Sequence, residues 1–407
     1  MRSIIISAFK LRTYRVLAIG NTVSMLGVWI QKVAAGWLAW DISHSTVWLG
    51  LVTAADLIPA VLFSSFFGVM ADNHDKVRLL RIAQVIAILE ALLVSALVFA
   101  QLMTVEILFV LTLVLGVANS VDQPSRLSLL REVLPADYIP AAVAFNSLSF
   151  NIARFVGPML AGLTIALGSI GFTFLLSAVM LGWFLAGLLT LPVAAPSAKR
   201  PKASLLGDMA EGFAHVLRNR ILAQTMVIVI LFGCTVGGIN QMLPALAAKV
   251  FSRGVEGFLQ LTVAAALGAV AAGMVVFLLP ERRSVSFGQP ACFALASLAL
   301  AGLAVTDHYL LGAGCLFLAT FASTQSAIQA QSALNRVSPS NALGRVMGIY
   351  GAVVRGAPAL GGVVIGSFAS FVPFAPILIA CAALMGLFYL WLLREKGRSA
   401  SPSRFSD

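Results

Sequence analysis

Apolar residues in this chain fall in blocks long enough to cross a bilayer, divided by short polar turns, and the blocks predict an all-α membrane protein with twelve spanning helices. Runs of roughly 17–25 residues, the length a hydrocarbon core demands, lie near 16–40, 47–71, 79–100, 107–123, 141–164 and 171–192. The second half repeats the count near 221–248, 257–279, 288–306, 309–333, 346–369 and 374–393. The longest polar stretch, 193–219, holds Pro196, Lys199, Arg200, Pro201 and Lys202. It predicts a linker between a six-helix bundle over 1–192 and a second over 220–394, with 395–407 as a tail. Within the linker, Leu205, Met209, Phe213, Val216 and Leu217 recur at helical spacing, the pattern of a short amphipathic helix on the cytoplasmic membrane surface.

Composition agrees with that pattern. Apolar residues make up 60% of the chain and charged ones 11%, against about 25% charged in an ordinary soluble domain. The first apolar run is too long for a cleaved signal segment and is expected to stay as the first span. Cys234, Cys292, Cys315 and Cys381 sit in apolar stretches without the paired spacing of a metal or redox site, and read as core thiols.

A net charge of +11 raises nucleic acid as a partner, but the cations stand between apolar segments and build no basic face. Topology accounts for them instead. With the N-terminus cytoplasmic, 22 of the 27 Lys and Arg fall on the cytoplasmic side, and only Lys249 and Arg253 on the other. Lys32, Arg154 and Arg355 remain inside the predicted spans. The expected location is a bacterial inner membrane, with both termini cytoplasmic.

The halves carry a faint repeat. Val133, Leu134 and Pro135 before the fifth span correspond to Val337, Ser338 and Pro339 before the eleventh. The stretch Arg154, Gly157, Pro158, Gly162 resembles Arg355, Pro358, Gly361, Gly362, with Arg154 matching Arg355, Pro158 matching Pro358 and Gly162 matching Gly362 at nearly the same offset. Two matches in one order argue for parallel duplication of a six-helix unit.

After the second span come Gly68, Asp72, Lys76 and Arg78. A glycine, an aspartate four on and then clustered cations resemble the signature loop of the major facilitator superfamily, although Asn73 and Asp75 replace that motif's usual arginine and glycine. Physically, Gly68 permits close helix approach, and Asp72 can cap a helix start or pair with a cation at a gate.

A second set is more specific: Asp122, Pro124 and Arg126; Arg131 and Glu132; Asn146; Asn151, Arg154, Gly157 and Pro158. With Trp29, Gly36, Trp37, Ser45, Glu211, Gly212 and Phe213, it resembles the superfamily branch containing the enterobactin exporter and macrolide and drug effluxers. The resemblance spans essentially the whole chain. Gly157, Pro158, Ala161 and Gly162 look like the fifth-helix motif of proton-driven exporters, whereas the fourth-helix arginine many drug antiporters place ahead of Gly116 is missing.

Ionisable groups cost roughly 2.5–3.5 kcal/mol in the bilayer, so those within the spans are the candidate chemistry. Lys32 and Asp56 lie at about 25 and 24 Å from the cytoplasmic helix ends. If the first two helices are neighbours, the two form a pair that breaks when Asp56 takes a proton, either as a coupling switch or as a static packing pair. Glu90 is about 18 Å deep on a third helix that the resemblance places toward the outside of the bundle. Arg154 and Arg355, at about 21 and 15 Å, fall on helices implied to line the interface between halves. Each serves an anionic solute, a carboxylate, or a structural counter-charge. Trp29, Trp37, Gln31, Asn146, Asn151, Gln325 and Gln329 are candidate linings of an amphipathic pocket.

The resulting expectation is a monomeric secondary transporter, embedded in membrane lipids, that exports a siderophore or drug by proton antiport through rocking of its two halves. An importer or lysolipid flippase of the same superfamily is the alternative. No phosphate-binding loop of the Gly-x-x-x-x-Gly-Lys-Ser/Thr type occurs. The four histidines, His44, His74, His215 and His308, are expected in loops and lack ligand spacing, so neither an enzyme, a metal nor a cofactor is expected.

Overall fold

A computed structural model describes residues 8–73, 75–167, 169–191, 213–278, 288–339 and 343–400. Among them the regular elements are all helical. In chain order they are α1 (Arg12–Ser43), α2 (Thr46–Asn73), α3 (Lys76–Phe99), α4 (Val105–Val133), α5 (Ile139–Leu167) and α6 (Ile170–Leu189). The second half runs α7, α8 (Val255–Leu278), α9 (Gln289–Val305), α10 (Tyr309–Val337), α11 (Leu343–Phe368) and α12 (Phe374–Ala400). The segmented α7 passes from Arg220–Phe232 through a π turn at Gly233–Gly237 to Gly238–Gln241 and Leu243–Lys249. Eleven of the helices are long and apolar enough to span, and α9, at 17 residues, falls just short.

Side chains large and apolar enough to be core elsewhere stand outside here, among them Leu89, Val179, Trp183, Leu298, Leu310 and Leu387. Lipid is the solvent that accepts them.

Capping residues set several helix starts. Asp75 opens α3 by accepting a hydrogen bond from the Arg78 N–H at 2.6 Å, so Asp75 does the capping that the sequence assigned to Asp72. Gly68 and Asp72 belong to the last turns of α2, and their surroundings lie outside the described residues, as do the side chain of Asn151 and the linker from 192 to 212. Of the linker, 213–218 is helical, with Val216 buried and Phe213 and Leu217 exposed. His215 thus sits in a helix and not in a loop.

The halves repeat one another in packing. Helix α1 lies on α5 as α7 lies on α11; α2 on α4 as α8 on α10; α3 on α4 and α6 as α9 on α10 and α12. The most extensive contacts between halves are α2 with α11 and α5 with α8. Glycine allows both: a Cβ on Gly50 of α2 would strike the Gly362 carbonyl of α11, and one on Gly162 of α5 would press Leu259 of α8 at 2.9 Å.

The face carrying the α1–α2 turn, here the distal face, is bridged between halves. Trp37 stacks on Phe258 with ring centroids 5.5 Å apart. The Lys249 ammonium lies 5.7 Å from the Trp40 ring centre and donates to the Ala369 carbonyl at 3.2 Å. The opposite face holds the start of α1.

Candidate transport site

Near the middle of the bundle, the Lys32 ammonium meets the Asp56 carboxylate at 2.6 Å. Lys32 lies eleven residues from the distal end of α1 and Asp56 ten from that of α2, so each is roughly 15–17 Å in. Matching depths on antiparallel neighbours are what bring them together. The Asn119 amide of α4 also donates to Asp56 at 3.3 Å. Access for α4 is given by Gly116, whose absent side chain leaves room for the backbone carbonyls of Ala55 and Asp56. Pro59, one turn on in α2, has no N–H with which to take up the Ala55 carbonyl, which faces Gly116 instead.

Trp29 joins this pair to the next cation. Its ring centre is 5.8 Å from the Lys32 ammonium and 5.9 Å from the Arg154 guanidinium of α5. The approach of α5 is permitted by Gly157, which lies directly against the Trp29 Cβ. Trp29 also stands edge-on to Phe150 at 5.7 Å. Two cations, one carboxylate and an indole therefore share one level of the N-terminal half, an arrangement chemically able to attract an anion and to stack an aromatic ring.

Glu90 belongs to a separate cluster. Although α3 packs on α4 and α6, the Glu90 side chain turns inward, is buried, and accepts a hydrogen bond from the Gln31 amide of α1. The Ser177 hydroxyl of α6 lies within hydrogen-bond distance of the Gln31 side-chain carbonyl, at 3.1 Å, and of the Gly27 carbonyl, at 3.0 Å. Gln31 and Lys32 are adjacent in sequence, so α1 carries one carboxylate contact on each side.

Arg126, counted among the cytoplasmic cations, and Asp122, at the end of the predicted fourth span, stand on one continuous helix. Both are inside α4, paired with each other at i, i+4. The Arg126 guanidinium also donates to Asn21 and, at 3.1 Å, to Ser24, and lies 4.5 Å from the Phe184 ring centre. Gln84 of α3 donates to Asp122 at 2.9 Å. These residues tie α1, α3, α4 and α6 together, so their contacts belong to the inside of one half. Lys76 is buried at the start of α3 and Arg78 is exposed.

In the C-terminal half the matching interface is made of backbone. Gly361 of α11 rests on the backbone of Cys234, a Cβ on Gly237 would meet the Pro358 ring at 3.0 Å, and Gly362 faces Gln241. Arg355 lies one residue before Gly356, which faces Val61 of α2 across the halves. Gln325 of α10 is fully buried, with neither polar side-chain atom hydrogen-bonded among the described residues. Sequence reasoning missed the Asn21, Ser24 and Gln84 network, although Asp122 and Arg126 stand at helical pairing distance.

Two pseudo-repeated six-helix bundles that meet through α2 with α11 and α5 with α8, around charges held within the membrane, define a major facilitator superfamily transporter. The chain belongs to the family described as transmembrane secretion effector, whose pattern matches residues 5–401. It is 28% identical to the staphyloferrin A transporter of Staphylococcus aureus (strain NCTC 8325 / PS 47) over 62% of this chain and 63% of that protein. It is 24% identical to the enterobactin exporter EntS of Escherichia coli O1:K1 / APEC over 93% and 90%. In fold it is similar to the nucleoside transporter NupG, with a TM-score of 0.70, 14% identity and coverage of 94% and 98%. It is also similar to a bacterial homologue of the human lysosomal transporter Spinster in an inward-facing, unoccupied conformation, with a TM-score of 0.67, 15% identity and 94% of both chains covered. The chain is accordingly a multi-pass membrane protein of a transporter family and not an enzyme.

Proposed function

We propose that this protein exports a small amphipathic compound, a siderophore or a drug, across the bacterial inner membrane in exchange for protons. The observation that carries the reading is the Lys32–Asp56 ion pair at 2.6 Å, deep within the bundle and next to Trp29 and Arg154. The staphyloferrin A transporter and the enterobactin exporter among its relatives support the solute class.

Asp56 pairs with Lys32 and accepts a hydrogen bond from Asn119, which locks α2 to α1 and α4. A proton on Asp56 cancels the attraction and leaves Lys32 without its counter-charge, an arrangement stable only when that cation reorients or finds another anion. In the proposed cycle the loaded carrier turns with the pair intact and the empty carrier returns with Asp56 protonated. Trp29 and Arg154 hold the solute, Trp29 by its ring face and Arg154 by its charge. Arg355 and Glu90 act on the same cycle, Arg355 from the facing half and Glu90 from behind α1. The units that rock are residues 1–192 and 220–394, joined by 193–219, and the chain works as a monomer. The start of α1 and the C-terminal tail face the cytoplasm, because 22 of 27 cations gather on that side.

Uptake of radiolabelled enterobactin and staphyloferrin A into inverted vesicles, with and without an acid-inside gradient, tests the reading. Accumulation that collapses with the gradient is expected. Equal uptake in both conditions removes the antiport claim, and uptake of neither compound removes the siderophore class.

A further inference from the structure

The N-terminal half contains a mostly apolar cavity with a few polar groups, apart from the Lys32–Asp56 pair. It lies toward the face where α1 begins, has a volume of about 100 Å³, and its walls include Tyr14, Phe145 and Phe184 around Asn21, Arg126 and Asn146. These side chains come from α1, α4, α5 and α6 of one half, so the cavity sits inside that half and not on the seam with α8 or α11.

Most of its polar capacity is already used. The Arg126 charge is cancelled by Asp122, and its remaining hydrogen bonds go to Asn21 and Ser24. Asn21 spends its amide on the Asn146 carbonyl at 2.7 Å, with Met25 sulfur 3.8 Å away. What remains is the Asn146 amide, the Tyr14 hydroxyl and two Arg126 N–H groups. Tyr14 is 1% exposed, its ring packed against Phe9, and its hydroxyl makes no hydrogen bond among the described residues. A phenol so placed ordinarily finds a partner. The cavity thus offers several donors, a cation already paired with Asp122, and aromatic walls.

Its position is as informative as its lining. Asn21 precedes Trp29 by eight residues on α1, Asn146 precedes Arg154 by eight on α5, and Arg126 follows Asn119 by seven on α4. Three helices therefore put the same step, about 10–12 Å, between this cavity and the central cluster. That is one small-molecule length.

We propose that this cavity is a first docking pocket for an aromatic amphipathic molecule with an uncharged carbonyl acceptor. The ring lies between Phe145 and Phe184, the carbonyl takes the Asn146 amide and the Tyr14 hydroxyl, and the molecule then moves one step along α1 to Trp29. The onward step rests on the exporter reading; the binding does not.

The test is photolabelling of the purified full chain in nanodiscs with 4-benzoylbenzamide, an aromatic carbonyl probe, competed by excess 2-naphthamide and mapped by peptide mass spectrometry. Competable label is expected within 14–25 and 142–146. It should fall about tenfold in Asn146→Leu and about threefold in Tyr14→Phe, which keeps the ring and the fold, and stay unchanged in Lys32→Gln. Competable label elsewhere, none at all, or equal label in both pocket variants overturns the pocket. Correct labelling in a protein that pumps nothing overturns the exporter reading and leaves the pocket standing. Pumping without competable label does the reverse.

Discussion

The two halves share a packing plan and differ in what fills it. Where α5 meets α1, Gly157 brings the backbones close and the space beside them holds Trp29, Lys32 and Arg154. Where α11 meets α7, glycine is carried further: Gly361 on Cys234, with Gly233 and Gly237 under Ala357 and Pro358, and a π turn in place of charged side chains. Both ion pairs found among the described residues, Lys32–Asp56 and Arg126–Asp122, lie in the N-terminal half. The lesson is a division of labour. In the N-terminal half paired neighbours hold charges at a fixed depth, whereas the C-terminal interface is built from close, neutral backbone contact.

The largest effect expected from this contrast is at Asp56. Asp56→Asn removes the titrating group and should lower gradient-driven uptake in inverted vesicles by at least about a hundredfold, a scale typical of losing a proton-transfer group. Lys32→Gln should cost nearly as much, and the double variant should be no more active than Asp56→Asn but more stable than Lys32→Gln alone, since the single change strands an unpaired carboxylate. A double variant less stable than either single one would break the pairing argument.

Next is the opposite interface. Gly361→Val forces a side chain into the Cys234 backbone and should destabilise the protein by roughly 1–3 kcal/mol, read as a lower melting temperature in detergent. Its effect on solute affinity should be small. If affinity falls while stability holds, the C-terminal half carries more chemistry than its packing indicates.

Opening the distal bridge ranks third. Trp37→Leu removes the stack on Phe258 and should raise, a few-fold, the alkylation rate of a cysteine placed at Lys249 by a membrane-impermeant reagent. The smallest effect is expected at Glu90→Gln, which keeps a hydrogen-bonding partner for Gln31. Uptake should fall less than tenfold, with its pH profile altered and its maximum retained.

Much of this was legible in the chain. Block lengths located all twelve helices, because a bilayer imposes one length on every span. Matching depth paired Lys32 with Asp56, since 1.5 Å per residue is all that calculation needs. The α5 and α11 repeat was visible because close approach leaves few residue choices. The pairing of Arg126 with Asp122 was not read because counting loop charges assigns a cation a side of the membrane and not a neighbour. The inward turn of Glu90 was hidden because it depends on the rotation of α3 against α1 and α6, which a pattern of mostly apolar residues does not fix. The π turn had no mark beyond a glycine-rich run. The neutral network of Asn21, Ser24 and Gln84 left only helical spacing of small polar residues, a weak signal among many.

Proton movement is the most direct test of the central claim. Proteoliposomes holding a pH-sensitive dye, with the protein and its Asp56→Asn variant compared side by side, report whether addition of a transported solute drives protons the other way. The wild-type chain should give a solute-dependent pH change, while Asp56→Asn still binds solute and gives none. A proton signal of equal size from Asp56→Asn would contradict the account.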